Sequence, residues 1–239
     1  MSPALRHRPS QPDPLEGRPI MGMHLLRDLD ELQRDLLALA GLVEESIHKA
    51  TRSLQTRDLA LAREVIAADP QIDHEDNHIN EGCLKVLALH QPVARDLRRI
   101  AAAMMITTDL ERMGDLAEEI AERAIALANS PAFPIPDKLG RMADLATMMV
   151  RQALDSFVNH SQEQAERVLR MDDEVDRYNN EIIQELIQTM RSSPSLIEPG
   201  LSMFSATRHV ERIADHATNI AEDVIYLISG EIVRHRPTE

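Results

Sequence analysis

The chain contains no tryptophan, two tyrosines and three phenylalanines in 239 residues. Strand-rich folds draw heavily on aromatic and β-branched residues, so this scarcity argues against them. The apolar mass is nevertheless large, because 43% of the residues are hydrophobic, and it consists mainly of leucine, isoleucine, valine, alanine and methionine. Such a composition suits a bundle of helices.

Cys83 is the only cysteine in the sequence, which excludes an intrachain disulfide and a cysteine-based metal cage. It falls among apolar residues with helical spacing, and we expect it to be buried and unreactive. No uncharged run approaches the roughly 18 residues needed to span a membrane, and the N-terminus lacks the hydrophobic region of a signal peptide. The sequence therefore predicts a soluble cytoplasmic protein.

Basic residues are also in deficit, since 26 lysines and arginines stand against 40 aspartates and glutamates, for a formal net charge of −14. Nucleic-acid binding needs a basic patch that contacts phosphates, so we predict no nucleic-acid partner. The acidic balance favours metal cations or basic protein surfaces instead.

Proline clusters divide the chain into segments. Residues 1–22 hold a large share of the 13 prolines, and we interpret them as a disordered extension. The breakers at Asn129–Pro136 mark a boundary between two halves. Six long helices are predicted, at about residues 24–54, 58–90, 93–128, 137–158, 162–191 and from 196 or 199 to 228.

The sequence contains one short segment twice. The motif Glu-Arg-x-x-Asp occurs at residues 111–115 and again at 211–215, and the surrounding residues 107–122 and 207–222 align without a gap. The acidic residues at the two ends of the motif are kept in both copies, which marks them as candidates for a function.

A second pair of segments, 69–79 and 172–182, extends the repeat upstream. A fixed period of this length indicates a duplicated domain. We therefore predict an all-α fold of two tandem, sequence-related three-helix bundles, at residues 23–130 and 137–230, followed by a tail at 231–239.

Each half carries two pairs of acidic residues spaced four apart, and the members of such a pair lie on one face of a helix. Like charges at this spacing repel by roughly 0.2–0.5 kcal/mol, so matched pairs in two repeats need an explanation. Counted from the turns between antiparallel helices, the two pairs of each half lie at one height. The pairs are Asp69 with Asp73, Glu111 with Asp115, Asp172 with Asp176, and Glu211 with Asp215.

Two interpretations of these carboxylates stay open. Helical register puts Met113 and Ala117 opposite Glu111, so we expect the carboxylates to face outward as a patch. Converging carboxylates repel unless a cation neutralises them or solvent separates them. Oxygen ligands suit Mg²⁺, Ca²⁺, Mn²⁺ or iron, and suit zinc less well. The alternative is a solvated acidic face with local ion pairs, such as Glu119 with Arg123.

Other polar residues give weaker candidates. Segments 45–48 and 75–78 have the Glu-x-x-His form found in di-iron bundles, but the second half repeats neither. His209 and His216 flank the second motif without histidine counterparts in the first. The arginines of the two motifs either pair with neighbouring acids or dock a partner carboxylate. We find no glycine-rich phosphate loop and no Ser/His/Asp set, and therefore expect no enzyme.

Several segments resemble the PhoU family. The strings at residues 109–117 and 210–222 look like its signature, and residues 94–98 and 23–32 also resemble it. The resemblance covers about residues 23–230 and implies an all-α fold of two bundles.

The resemblance also implies that Glu/Asp-x-x-x-Asp motifs on the bundle surfaces bind multinuclear metal clusters. Iron is the expected metal, with manganese, magnesium or zinc as alternatives. The second copy has Asn219 as the family pattern does, whereas the first has Glu119 there, so the two sites need not bind the same metal. The implied ligands are Asp69, Asp73, Glu111, Asp115, Asp172, Asp176, Glu211, Asp215 and Asn219.

In function, the resemblance implies a regulator of phosphate uptake rather than an enzyme. Such a protein couples the phosphate ABC transporter, through its ATPase subunit PstB, to the sensor histidine kinase PhoR, and restrains phosphate-starvation signalling when phosphate is plentiful. We expect a homodimer that meets the membrane only through these partners. The residues alone leave two alternatives, a metal-dependent phosphohydrolase or oxidase and a purely structural bundle.

Overall fold

A computed structural model describes residues 18–230, and within this range the chain forms six α-helices, one short 3₁₀ turn and no strand. The all-α prediction is therefore confirmed. The helices are α1 (Arg18–Thr56), α2 (Leu59–His90), α3 (Ala94–Ala128), α4 (Lys138–Asn159), α5 (Gln162–Ser192) and α6 (Ile197–Ser229).

The first helix begins earlier than predicted. α1 starts at Arg18, so the predicted extension at residues 1–22 is helical in its last part. Pro19 is compatible with this start, because the first turn of a helix does not use its backbone N–H groups. Residues 1–17 and the predicted tail at 231–239 lie outside the described residues.

Local capping explains several of the helix ends. The Asp58 side chain accepts hydrogen bonds from the backbone N–H groups of Ala60 and Leu61 and so begins α2. The Ser161 hydroxyl accepts one from Gln164 N at 3.3 Å and begins α5. Gly230 ends α6 with a φ of 75°, a left-handed conformation that glycine adopts without strain.

Helices α1–α3 form one bundle and α4–α6 form the other. The bundles meet where α3 packs on α6 and α1 packs on α4, while α2 and α5 pack only within their own halves. The buried apolar residues of both halves form one continuous core. On α3, Met113, Ala117 and Ile120 are fully buried in it, which leaves the opposite face of that helix to the acidic motif, as the register predicted.

The linker between the two halves is anchored to the fold. Phe133 is only 2% exposed, and its carbonyl oxygen accepts a hydrogen bond from Arg57 Nη2 at 2.7 Å. Its ring lies beside Gly200 of α6, where an added Cβ would be 3.2 Å from the ring. The breaker cluster is therefore a connection between the bundles that contributes its own buried side chain.

Helix α2 approaches α3 closely beside the first motif, because Gly114 has no side chain. A Cβ at Gly114 would lie 3.0 Å from two carbon atoms of Ile72, closer than ordinary van der Waals contact. The corresponding residues of the second half are Ala214 and Val175. The two halves thus fill the same contact differently, with the extra methyl group on α2 in one and on α6 in the other.

This exchange predicts a compensating pair of substitutions. Alanine favours a helix over glycine by about 1 kcal/mol, but Gly114→Ala alone overpacks against Ile72, and overpacking costs about 1–3 kcal/mol. Adding Ile72→Val removes Cδ1, one of the two close carbon atoms, and the shorter side chain has room to move away from the new methyl group. We expect the double variant to have a higher free energy of unfolding than the sum of the two single effects predicts, by about 1 kcal/mol. Urea unfolding of the four proteins measures this coupling, and strict additivity would contradict it.

Candidate metal centres

The first candidate centre lies between α2 and α3. One carboxylate oxygen from each of Asp69, Asp73 and Asp115 lies within 4.8 Å of the other two. Asp73 and Asp115 are exposed, whereas Asp69 is half-buried, and its Oδ1 atom is buried without a hydrogen-bond partner. The prediction that acidic pairs of neighbouring helices meet at one height therefore holds for these residues.

The electrostatics of this first cluster show uncompensated negative charge. Burial raises the pKa of Asp69, and the nearby carboxylates of Asp73 and Asp115 raise it further. Burial likewise raises the pKa of Asp115, with added contributions from Asp73 and Glu119. The pKa of Glu111 is raised by burial and then by Asp115. A bound cation would relieve this repulsion.

Two further carboxylates belong to the first cluster, although they are not among the predicted ligands. Burial and Asp73 raise the pKa of Asp76, while a hydrogen bond from Asn80 lowers it. Burial, followed by Asp69, raises the pKa of Glu118. Both residues lie three positions after a predicted ligand, and helical spacing alone could have added them.

The second candidate centre lies between α5 and α6. Burial raises the pKa of Asp172 to about 7, and the carboxylates of Asp176, Asp215 and Glu211 contribute next. Burial also raises the pKa of Asp215, followed by the effect of Asp176. The four predicted residues of the second half thus influence one another, although no three of them approach as closely as the first group does within residues 18–230.

The second cluster is deeper than the predicted outward patch. Glu211 is only 9% exposed, and Arg208 Nη1 contacts its Oε1 atom at 2.7 Å. The other oxygen of Glu211 is buried without a hydrogen-bond partner. The first half has Thr108 in place of Arg208, so the first cluster has no counterpart of the ion pair between Arg208 and Glu211.

The arginines inside the two motifs do not pair with the carboxylates of the clusters. Arg112 and Arg212 are exposed, and neither forms an ion pair within the part of the chain that the structure describes. The suggested pairing of these arginines with neighbouring acids is therefore replaced by the Arg208–Glu211 pair. The proximity of Arg112 still lowers the pKa of Glu111 slightly against the effects of burial and Asp115.

Asn219 lies at the contact between the two halves. Its amide nitrogen donates to Asp109 Oδ1 at 3.4 Å, and His216 Nδ1 lies 2.8 Å from the same oxygen. The Asn219 amide is thus engaged with α3 rather than with Asp172 or the other acids of the second cluster. The bond uses the amide nitrogen and not the oxygen that would bind a metal, so Asn219 stays a predicted ligand of that cluster.

Glu119, which takes the place of Asn219 in the first half, also contacts a residue of the other half. Its Oε2 atom lies 3.0 Å from His209 Nδ1, although the two atoms do not form a hydrogen bond. Arg123 contacts Glu122 at 3.5 Å instead, so the predicted pair of Glu119 with Arg123 is wrong. Sequence reasoning noticed the two histidines beside the second motif but not their partners on α3.

The weaker candidates do not form sites. Glu45 is paired with Lys49 at 2.8 Å, and His78 is exposed. The group of Asp69, Asp73 and Asp115 is the only set of three metal-binding side chains this close among the described residues. Cys83 is fully buried, and burial raises its pKa to about 11, as expected for an unreactive thiol.

Arg208 and Thr108 occupy equivalent positions, so exchanging them should change the metal affinities of the two clusters in opposite directions. Arg208→Thr is expected to raise the affinity of the second cluster for Mn²⁺ about tenfold, because the site loses a competing positive charge. Thr108→Arg is expected to lower the affinity of the first cluster by a similar factor. Calorimetric Mn²⁺ titrations measure each effect, with Asp73→Asn or Asp176→Asn disabling the other cluster. Equal affinities before and after both exchanges would contradict the role of Arg208.

None of the described helices combines the length and apolar character required to cross a membrane. Fold and site together define a protein of two duplicated helical bundles, each with a carboxylate cluster between its second and third helices. The PhoU domain model matches this chain twice, at residues 36–124 and 139–224. The chain therefore belongs to the PhoU family, and the double match confirms the tandem repeat.

Relatives and a solved structure agree with this assignment. The phosphate-specific transport system accessory protein PhoU homolog of Rhizobium meliloti is 36% identical over 87% of this chain and 90% of its own length. The homolog from Aquifex aeolicus is 40% identical over 90% of this chain and 97% of its own length. The crystal structure of PhoU from Pseudomonas aeruginosa is 38% identical, covers 86% of this chain and 99% of its own, and superposes with a TM-score of 0.81.

Proposed function

We propose that the protein regulates phosphate uptake as an accessory component of a phosphate transport system. The observation that carries this proposal is the extent of the similarity to relatives named for that role. The Aquifex relative matches 90% of this chain and 97% of its own length, so the whole of each protein, rather than one shared module, is alike.

Within that role we propose an adaptor that joins the transporter ATPase PstB to the sensor kinase PhoR and restrains phosphate-starvation signalling. The protein acts in the cytoplasm as a homodimer. Asp73, Asp115, Asp176 and Asp215 are exposed on helix faces, an arrangement suited to a partner surface or a surface-bound metal. A phosphohydrolase or oxidase would require a shaped pocket with a positioned acid or base.

We further propose that each carboxylate cluster holds metal, with multinuclear iron as the expected form and manganese, magnesium or zinc as alternatives. The close approach of Asp69, Asp73 and Asp115 supports this for the first half. The unpartnered Oε2 atom of Glu211 supports it for the second. The donor sets consist of carboxylate oxygens, which favour hard cations over zinc.

A binding experiment tests the adaptor role. The purified protein is incubated with PstB and with the cytoplasmic part of PhoR, and retention of each is measured. We expect both to be retained, and we expect Asp73→Lys to weaken retention more than Asp144→Lys, which changes an exposed aspartate on α4. Failure to retain either partner, together with hydrolysis of a phosphate ester, would favour the metal-dependent enzyme instead.

A further inference from the structure

One end of the molecule carries a cationic cavity that is separate from both carboxylate clusters. It has a volume of about 230 Å³ and is lined by Arg95 and Arg98 of α3, His160 after α4, and Leu227 and Ile228 of α6. Cationic side chains gather here although the chain has a net charge of −14. The cavity is therefore a local exception to the acidic character of the protein.

These cations have few partners among the described residues. Arg98 donates through Nε to the Leu227 carbonyl oxygen at 3.4 Å, and its terminal amino groups make no other hydrogen bond there. Arg95 is exposed and forms no ion pair within residues 18–230. Burial lowers the pKa of His160, and the charges of Arg99 and Arg95 lower it further. No carboxylate contributes to the shift of His160, so the local field is positive.

The internal repeat shows what fills the corresponding place in the other half. Continuing the two alignments pairs Arg98 with Glu198 and His160 with Arg57. His160 and Arg57 both follow a helix end with a left-handed backbone, at φ values of 48° and 56°. Arg57, however, donates a hydrogen bond to the carbonyl oxygen of Phe133 at 2.7 Å. The side chain of Phe133 is buried and holds that oxygen in place. Within residues 23–230, the chain satisfies the Arg57 copy of this position and supplies no side-chain partner for the His160 copy.

We propose that the His160 copy binds a small oxyanion of the size of phosphate through Arg95, Arg98 and His160. Planar guanidinium groups match the oxygens of such an anion in pairs. The cavity has space for the anion and accompanying water, since one water molecule occupies roughly 30 Å³.

The surrounding elements strengthen the attraction. Val93 provides no side-chain cap for α3, and the positive end of the α3 helix dipole lies at the same end of the molecule, where it favours an anion. Leu227 and Ile228 form an apolar wall, which reduces screening by water. This proposal depends on neither the metal clusters nor the adaptor role.

Isothermal titration calorimetry with inorganic phosphate tests the proposal on the full, metal-free chain at low ionic strength. Metal must be absent because a metal-loaded carboxylate cluster would itself attract phosphate. We expect saturable binding that sulfate displaces and that chloride at equal ionic strength does not. Arg95→Gln is expected to weaken binding about tenfold or more, and its fold should be intact because Arg95 is exposed and has no partner among the described residues.

Matched variants separate this site from general charge effects. Arg141→Gln removes an exposed arginine of α4, about 28 Å along that helix from His160, and should leave phosphate binding unchanged. His160→Asn keeps a residue that tolerates the left-handed backbone and should weaken binding. Absence of saturable binding would overturn the proposal. Equal weakening by Arg95→Gln and Arg141→Gln, or loss of binding in an Asp73→Asn/Asp176→Asn variant with intact arginines, would also overturn it.

Discussion

Replacing Asp73 and Asp115 by asparagine is expected to lower the affinity of the first cluster for metal about a hundredfold or more. These two side chains and Asp69 supply the closest set of oxygens in the described chain, within 4.8 Å of one another. Asparagine keeps the shape of each side chain but removes its charge. Bound metal is measured by elemental analysis after dialysis against iron or manganese.

The same double variant is expected to be more stable than the parent when metal is absent. Burial and mutual repulsion raise the pKa of Asp69 and of Asp115, so removing two charges relieves the metal-free cluster. We expect a gain of about 0.5–1 kcal/mol in the free energy of unfolding, given that an exposed like-charge pair costs roughly 0.2–0.5 kcal/mol. When metal is present, the parent should be the more stable of the two proteins, because only the parent gains binding energy.

Asp144→Asn provides the control, since Asp144 is exposed on α4 and lies outside both clusters. It should change neither metal content nor the effect of metal on stability. A parent protein that takes up no metal, or a double variant that retains the parent's metal content, would support the solvated acidic face instead.

The register and the repeat made much of the fold and the first cluster predictable. An amphipathic pattern records which face of each helix is buried, so Met113 and Ala117 on one side place Glu111 and Asp115 on the other. Short turns between antiparallel helices fix relative height, which brings Asp73 beside Asp115. These features depend on local spacing, and local spacing is visible in a single sequence.

The contact between the halves was not predictable in the same way, because its partners come from helices far apart in sequence. A signal was nevertheless present at the positions where the two copies differ. Where two related helices meet around an approximate twofold axis, identical acids would face each other and repel. Complementary residues occur instead: Asp109 contacts His216 and Asn219, and Glu119 lies beside His209. The differences between copies therefore mark the interface.

Arg208 illustrates a different limit. It lies three residues before Glu211, a spacing that permits pairing, but the same spacing occurs for many exposed pairs that contribute little. Its importance comes from the burial of Glu211, which depends on how α5 covers α6. The alignment does show that Thr108 occupies this place in the first half, and a comparison of copies would have predicted two unequal clusters.

The metal-free protein is expected to lose stability as pH rises through neutrality, chiefly because of Asp172. Burial, with the carboxylates of Asp176 and Asp215, raises the pKa of Asp172 from 3.8 to about 7 in the folded chain. Between these two values the folded state holds a proton that the unfolded state has released. Folding is therefore favoured by the protonated carboxyl at low pH, and this advantage is lost as pH rises through about 7.

The raised pKa of Asp172 sets the size of this change in the free energy of unfolding, reduced by solvent screening of the carboxylate. One pKa unit corresponds to 1.36 kcal/mol, and because Asp172 is partly exposed we expect only about 1–2 kcal/mol between pH 5.5 and pH 8. Asp172→Asn should flatten this dependence, whereas Asp144→Asn, at an exposed position on α4, should leave it in place. Urea unfolding at several pH values in the presence of a chelator measures both.

Metal should reverse the pH dependence of stability, and Asp172→Asn separates the contribution of the second cluster from that of the first. A cation binds the deprotonated carboxylate, so its binding by the second half must release a proton below about pH 7 and weaken as pH falls. Calorimetric titration in buffers of different ionisation enthalpy counts that proton. We expect the parent and Asp144→Asn to release it at pH 6.5. Release that persists in Asp172→Asn would assign the proton to another group and contradict the role given to Asp172.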